Sequence, residues 1–168
     1  MAKSSVKLDY KELEKLKNQL ESHCEQEQIE QFLNSCAKEL AARLLAKVIK
    51  RTPVGVYPKE TGKKGGYLRR GWTGGKSANA TVFVNSLSVN KSGNDYVIDI
   101  INPTEYASYV EYGHRQTPGR FVPALGKRLK QGWVEGKFML TISEDEIRNA
   151  APGILEKKLK KYLQECFQ

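Results

Sequence analysis

Gly71-Trp-Thr-Gly-Gly-Lys-Ser77 has the residue types of a loop that cradles phosphate. That chemistry needs four residues between the first glycine and the Gly-Lys pair, so that backbone N–H groups converge on the anion. Here only three intervene, the position for the first glycine is Arg70, and no buried parallel strand leads into the loop. Nucleotide binding is rejected on those grounds. Glu111 and His114 are three apart and would share one face of a short helix near its end, the arrangement of an acid and a base. Yet the chain has two histidines and no Ser/His/Asp constellation, and a histidine near a helix C-terminus is favoured there simply as a cation. Cys24, Cys36 and Cys166 contain no short-spaced pair, and His23-Cys24 with Cys36 would make a poor metal site. The thiols read as structural, and neither cofactor, metal nor catalytic residue is expected.

Recognition chemistry fits better. Tyr67, Arg69, Arg70 and Trp72 interleave cations with aromatics, as single-strand nucleic-acid binders do, although a half-buried strand with a solvated basic edge is the commoner meaning. No helix-turn-helix, zinc-finger or RNA-recognition signature accompanies the charge, which leaves non-specific phosphate attraction and no base reading. Tyr106, Tyr109 and Tyr112 recur at steps of three beside Val110. They suit a short helix packed on a sheet, and equally a protein interface, because tyrosine buries area at low entropy cost and keeps a hydroxyl for a partner.

Charge is distributed unevenly along the 168 residues, which carry a net +9. Residues 51–76 hold seven Lys/Arg against one Glu, and residues 113–140 hold six against one. These two glycine-rich basic stretches raise the local potential towards an anionic partner. The length fits one domain over 1–168, and the apolar share of 39% points to more extended surface than a compact enzyme has. Met1-Ala-Lys-Ser-Ser has no apolar h-region and no run approaches the ~18 apolar residues of a membrane span, so a cytosolic product without a membrane partner is expected.

The elements that would position these groups are legible in part. Asp9-Tyr-Lys-Glu12 reads as a capping box for an appended helix over 9–21, with Leu13, Leu16 and Leu20 as its apolar stripe. From Ile29 to Ile49 apolar residues recur at three- and four-residue steps, predicting a long central helix that Pro53 ends. Tyr67–Thr73, Ala80–Val89 and Tyr96–Ile101 read as strands, the last two joined into a hairpin by Asn90-Lys-Ser-Gly-Asn94. Asn102-Pro-Thr-Glu105 opens a short helix that Gly113 stops, and 113–132 reads as a long loop that orders on a partner. Ser143-Glu-Asp-Glu146 reads as a second capping box, and Pro152 as a break before a last helix. That helix is expected to bury Leu155, Leu159, Tyr162, Leu163 and Cys166 and to expose Lys157, Lys158, Lys160 and Lys161.

Taken in order, the motifs converge: Arg51-Thr-Pro53-Val54 closing a long helix, Thr61-Gly62, Leu68-Arg-Arg-Gly-Trp72, Glu105-Tyr-Ala107, Tyr109-Val-Glu-Tyr-Gly-His114 and Gly136-Lys-Phe-Met139. The series resembles the gp-ten-like tail-component family of tailed phages and phage-derived particles, over roughly residues 30–150, with 9–21 outside. It departs from the family's pattern in the first basic loop, where Gly55–Glu60 is inserted and Lys63–Tyr67 separates Gly62 from Leu68. The resemblance implies an α+β fold, a long core helix packed on a small antiparallel β-sheet with extended basic loops and C-terminal helices. It also implies a virion protein of the tail-completion and neck region, made in the bacterial cytoplasm and assembled as a ring, expected to be a hexamer. Such a ring caps the tail and helps join it to the head. Its partners would be its own copies, the tail tube or tail terminator, the head connector, and DNA crossing the lumen. The expected contact residues are Arg69, Arg70 and Trp72, then Tyr106, Tyr109, Glu111, Tyr112 and His114, then Arg115, Arg120, Lys127, Arg128 and Lys130. A small basic nucleic-acid-binding protein is the alternative, with a particle-associated nuclease behind it.

Overall fold

The computed structural model describes residues 26–75, 79–93 and 95–166. The expected helix over 9–21, and His23 and Cys24, lie outside them. The long apolar repeat forms α1 (Gln26–Arg51), which buries Leu45 and Val48 completely. Thr52 closes it: its backbone N–H and its hydroxyl both donate to the Val48 carbonyl, at 2.9 and 2.7 Å, just before Pro53.

Two of the three expected strands are helices. Tyr67–Gly71 is a short helix, α2, and Ala80–Asn85 is another, α3. The Asn79 side chain caps α3 by accepting from the backbone N–H groups of Thr81 and Val82. Their β-branched and aromatic content favoured a strand reading, but burial follows the helical step. Leu68 and Trp72 are buried four apart, and Ala80, Phe83, Val84 and Leu87 all face the core while Val82 is 60% exposed. The hairpin does form, but shifted. Asn90–Ser92 (β1) pairs antiparallel with Asp95–Val97 (β2), so residues read as the turn make up the first strand, and pairing stops before Ile98. Ile98 and Ile100 pack instead against the core cluster.

Ala107–Tyr112 forms α4, as expected, and Gly113 ends it. The stretch after it is a folded β-arm rather than a structureless loop. Gly113–Arg115 (β3) pairs with Trp133–Glu135 (β6), and further out Phe121–Val122 (β4) pairs with Lys127–Arg128 (β5) across a 3₁₀ turn at Pro123–Leu125.

A single helix, α5 (Met139–Cys166), completes the fold. Ser143 is therefore not a cap: it is fully buried in the helix and its hydroxyl donates back to the Met139 carbonyl. Glu146 ties α5 to α1 through Lys47 and Arg51, both at 2.7 Å, and Glu39 answers from α1 with Lys158 at 2.9 Å. The hydrogen bond from Lys158, then that from Arg43, holds the Glu39 carboxyl below the usual carboxylate range; Lys47 does the same for Glu146. Exposed pairs of this kind are screened by salt and act here mainly on the register of the two helices. Lys158 is accordingly half-buried, while Leu159 is 44% exposed, the reverse of expectation. Among the described residues α1 packs chiefly on α3 and α5 and also touches β2, and the core gathers Ala41, Leu45, Val48, Leu68, Trp72, Val84 and Met139. The architecture is α+β, with helices carrying the core and small antiparallel β-pairs at its edge.

Pro152 sits inside α5 on its exposed side, without ending the helix. The pairs of Glu146 with Lys47 and Arg51 before it and the Lys158–Glu39 pair after it hold both halves against α1. A mid-helix proline removes one backbone hydrogen bond and costs ~3 kcal/mol, partly offset by its stiffening of the unfolded chain. Pro152→Ala is expected to stabilise the protein by about 2 kcal/mol in urea unfolding. A loss of stability would mean that packing on α1 depends on a bend at Pro152.

Candidate assembly surface

Most of Leu68-Arg-Arg-Gly-Trp72 faces inward. Trp72 is 5% exposed, and its indole N–H donates to Thr52 Oγ1 at 2.8 Å. The Arg69 guanidinium donates twice to the Thr52 carbonyl, at 3.1 and 2.6 Å. Carbonyls at a helix C-terminus lack intrahelical partners, and a cation is the favoured group to meet them. Gly71 allows a close approach: a Cβ there would lie 2.4 Å from Asn102 Oδ1 and 2.7 Å from Thr104 Oγ1. Asn102 in turn donates to the Leu68 carbonyl at 2.9 Å. The segment is thus a clasp on the end of α1, and Trp72 is turned inward, reaching the surface only where it lines a cleft beside Ile100 and Met139. Arg70 is exposed, with one long hydrogen bond to Gly65 O at 3.3 Å, and Tyr67 is 66% exposed.

Arg69 and Arg70 therefore separate. Arg70→Glu is expected to leave stability within about 0.5 kcal/mol of wild type. Arg69→Glu sets a carboxylate against a helix-end carbonyl and is expected to cost about 2 kcal/mol, read from urea titrations of both variants. Equal stability would show that Arg69 is no cap.

Glu111 is also an inward group, 6% exposed. Its carboxylate accepts from the Leu140 N–H at 3.0 Å, the Thr141 N–H at 2.9 Å and the Thr141 hydroxyl at 2.8 Å. These are first-turn donors of α5, which have no partner within the helix and sit at its positive end. Backbone bonds from Lys137 to Val110 and from Phe138 to Glu111 complete the joint, and Phe138 enters it at φ 47°. With both oxygens of Glu111 occupied, no hydrogen bond joins it to His114 among the described residues. His114 lies beyond α4, in β3; its Nδ1 is buried without a partner there and its ring sits 5.8 Å from that of Tyr109. The acid–base pair is not assembled. Among the described residues, no group of three His, Cys, Asp or Glu is placed to hold a metal, and no helix is long and apolar enough to cross a membrane.

The remaining expected residues are at the surface. Tyr106, Tyr109 and Tyr112 are 41%, 58% and 63% exposed. Arg115, Arg120, Lys127, Arg128 and Lys130 all stand exposed on the β-arm, and among them only Arg128 has a described side-chain hydrogen bond, to Gly119 O at 2.8 Å. The arm pivots on Gly113, whose φ of 85° and whose 2.5 Å approach of a notional Cβ to Val134 O leave room only for glycine. Phe121 and Leu125, inside the expected contact loop Arg115–Lys130 but not singled out there, and Trp133, outside it, are 50%, 39% and 49% exposed on the same arm. Their signal was present as Phe-Val and Lys-Arg pairs flanking Pro-Ala-Leu-Gly126, a short hairpin hidden by the charge and glycine around it.

The clasp and α4 both lie within the stretch that connects this chain to a known family. A family model described as "Bacteriophage HK97-gp10, putative tail-component" matches residues 14–113. No curated protein and no solved structure matches the chain. The match starts earlier than the motifs indicated, taking in part of 9–21, and stops at the foot of the β-arm, short of Gly136-Lys-Phe-Met139. It covers more than half of the 168 residues, and the chain belongs to the HK97 gp10 family of phage tail components.

Proposed function

We propose that this tail component acts at the tail-completion and neck region, as a ring that caps the tail and helps join it to the head connector. The observation that carries the reading is the arm of residues 113–135, which sets exposed Phe121, Leu125 and Trp133 among five cations on a hairpin with its own backbone pairing. Side chains of that kind, grouped away from the core, are the anchors of protein interfaces, where aromatics and arginine are enriched. Contact is thus the function, by shape and charge rather than by bond chemistry. Electron microscopy of particles made without the gene tests it: separate filled heads and tails, or tails of abnormal length, are expected. Particles of normal form and infectivity would remove the role.

A second reading rests on the cations without described partners at Lys59, Lys63, Lys64, Arg115, Arg120, Lys127 and Lys130, which suit DNA crossing the ring. It predicts that purified protein binds duplex DNA with an affinity that falls steeply as salt rises. The interior position of Trp72 removes one of the aromatics on which base stacking at 67–72 would depend.

A further inference from the structure

We propose that the β-arm of one copy seats its aromatic tip in an apolar cleft on the next copy, and that this head-to-tail contact closes the ring; the inference rests on the ring reading above. The cleft, of about 250 Å³, opens between the segment after β2 and the start of α5, with Ile100, Ile101, Ala107, Tyr112, Met139 and Leu140 in its wall. Ile101 is 70% exposed at its rim. The volume is below the ~300 Å³ of small-molecule sites and suits a side chain better than a ligand.

Charge identifies the occupant. Asp99 and Glu105 adjoin the cleft in sequence and are exposed, with no ion pair or hydrogen bond among the described residues. They belong to the stretch 77–112, which carries a net −3, whereas the arm, residues 113–135, holds five Arg/Lys against one Glu. Unpaired carboxylates next in sequence to the residues of an apolar socket repel phosphate and match an apolar tip on a basic arm.

Geometry makes the contact intermolecular. The arm begins at Gly113, next to Tyr112 in the cleft wall, and runs nine residues to Phe121. A strand of that length reaches up to about 30 Å. The described backbone hydrogen bonds of residues 116–132 all stay within the arm: Gln116 to Gly132, Gly119 to Leu129 and Leu129 to Arg120 run across it, and turn bonds join Arg120 to Thr117 and Gly126 to Pro123. A paired hairpin rooted at the edge of its own cleft carries its tip away from that cleft. Socket and tip are then different patches of one surface, the requirement for a heterologous interface that forms rings when the rotation closes.

The test places a benzophenone amino acid at position 121 of the full chain and irradiates assembled particles. Copy-to-copy cross-links are expected on peptides spanning 98–112 or 139–142. Cross-links between copies that land elsewhere would leave the ring standing and overturn the seating. Cross-links to other tail proteins alone, with no ring seen in the particles, would overturn both. Asp99→Lys with Glu105→Lys is expected to reduce joined particles roughly tenfold, and adding Arg120→Glu with Lys127→Glu to restore them. Wild-type joining by the first pair, or no rescue by the second, would overturn the charge match.

Discussion

Glu111→Ala is expected to lower the free energy of unfolding by about 3 kcal/mol. The carboxylate is buried and takes three hydrogen bonds from the first turn of α5, at 3.0, 2.9 and 2.8 Å. An ordinary N-cap contributes ~1 kcal/mol, and hydrogen bonds to a charged group contribute more than neutral ones. Truncation also leaves the Leu140 and Thr141 N–H groups, at the positive end of α5, without the carboxylate that meets them. Glu111→Gln keeps the shape but turns an amide NH₂ towards those N–H groups, so it is expected to recover less than half of the loss. Tyr112→Ala, one residue on and 63% exposed, serves as the control and stays within about 0.5 kcal/mol of wild type. Urea unfolding followed by circular dichroism measures all three. Since the Lys137–Val110 and Phe138–Glu111 backbone bonds form the joint beside this carboxylate at the foot of the arm, the alanine variant is expected to lose the proposed joining before it loses fold. A wild-type midpoint for Glu111→Ala would mean that α5 starts without this cap, and the anchoring of the arm to α4 would fall with it.

The sequence made α1 legible because nothing interrupts its apolar step from Ile29 to Ile49 and Pro53 ends it in the expected place. α4 and its stop at Gly113 were legible for the same local reason. The failures share another cause. Ser143-Glu-Asp-Glu146 has the spacing of a capping box, but Glu146 bonds to Arg51, 95 residues away, and a local pattern carries no trace of that partner. Proline costs a helix one bond, which predicts a break at Pro152, yet packing on α1 outweighs the penalty. At α2 and α3 the composition suggested strands, whereas the buried positions obeyed a step of four. Nor does the sequence alone say which aromatic of Tyr67 and Trp72 turns inward. Thr52 decides that, by offering a buried hydroxyl to an indole N–H at the end of a helix 20 residues earlier in the chain.

That pairing sets the largest expected effect. Trp72→Ala is expected to cost about 4 kcal/mol, since removing a buried tryptophan forfeits its transfer energy and leaves a cavity among Leu45, Val48, Leu68 and Val84. Thr52→Val is nearly isosteric, yet it strips the acceptor from the indole and is expected to cost about 2 kcal/mol, because an unpaired buried donor is charged its full desolvation. Trp72→Phe keeps most of the ring and removes the donor instead. If the two residues act as a unit, the double variant Thr52→Val/Trp72→Phe is less destabilised than its singles combined, by about 1 kcal/mol. Strict additivity in urea unfolding would show that the clasp is only packing. The distinction bears on function because the clasp lies within residues 14–113, which match the family, while most of the β-arm lies beyond them. Variants of Thr52, which is not in the wall of the proposed socket, are then expected to reduce the amount of folded protein without changing the proposed joining by each folded copy. Variants at Phe121 or Arg120 are expected to do the opposite, and measuring folded protein and joined particles on the same samples separates the two classes.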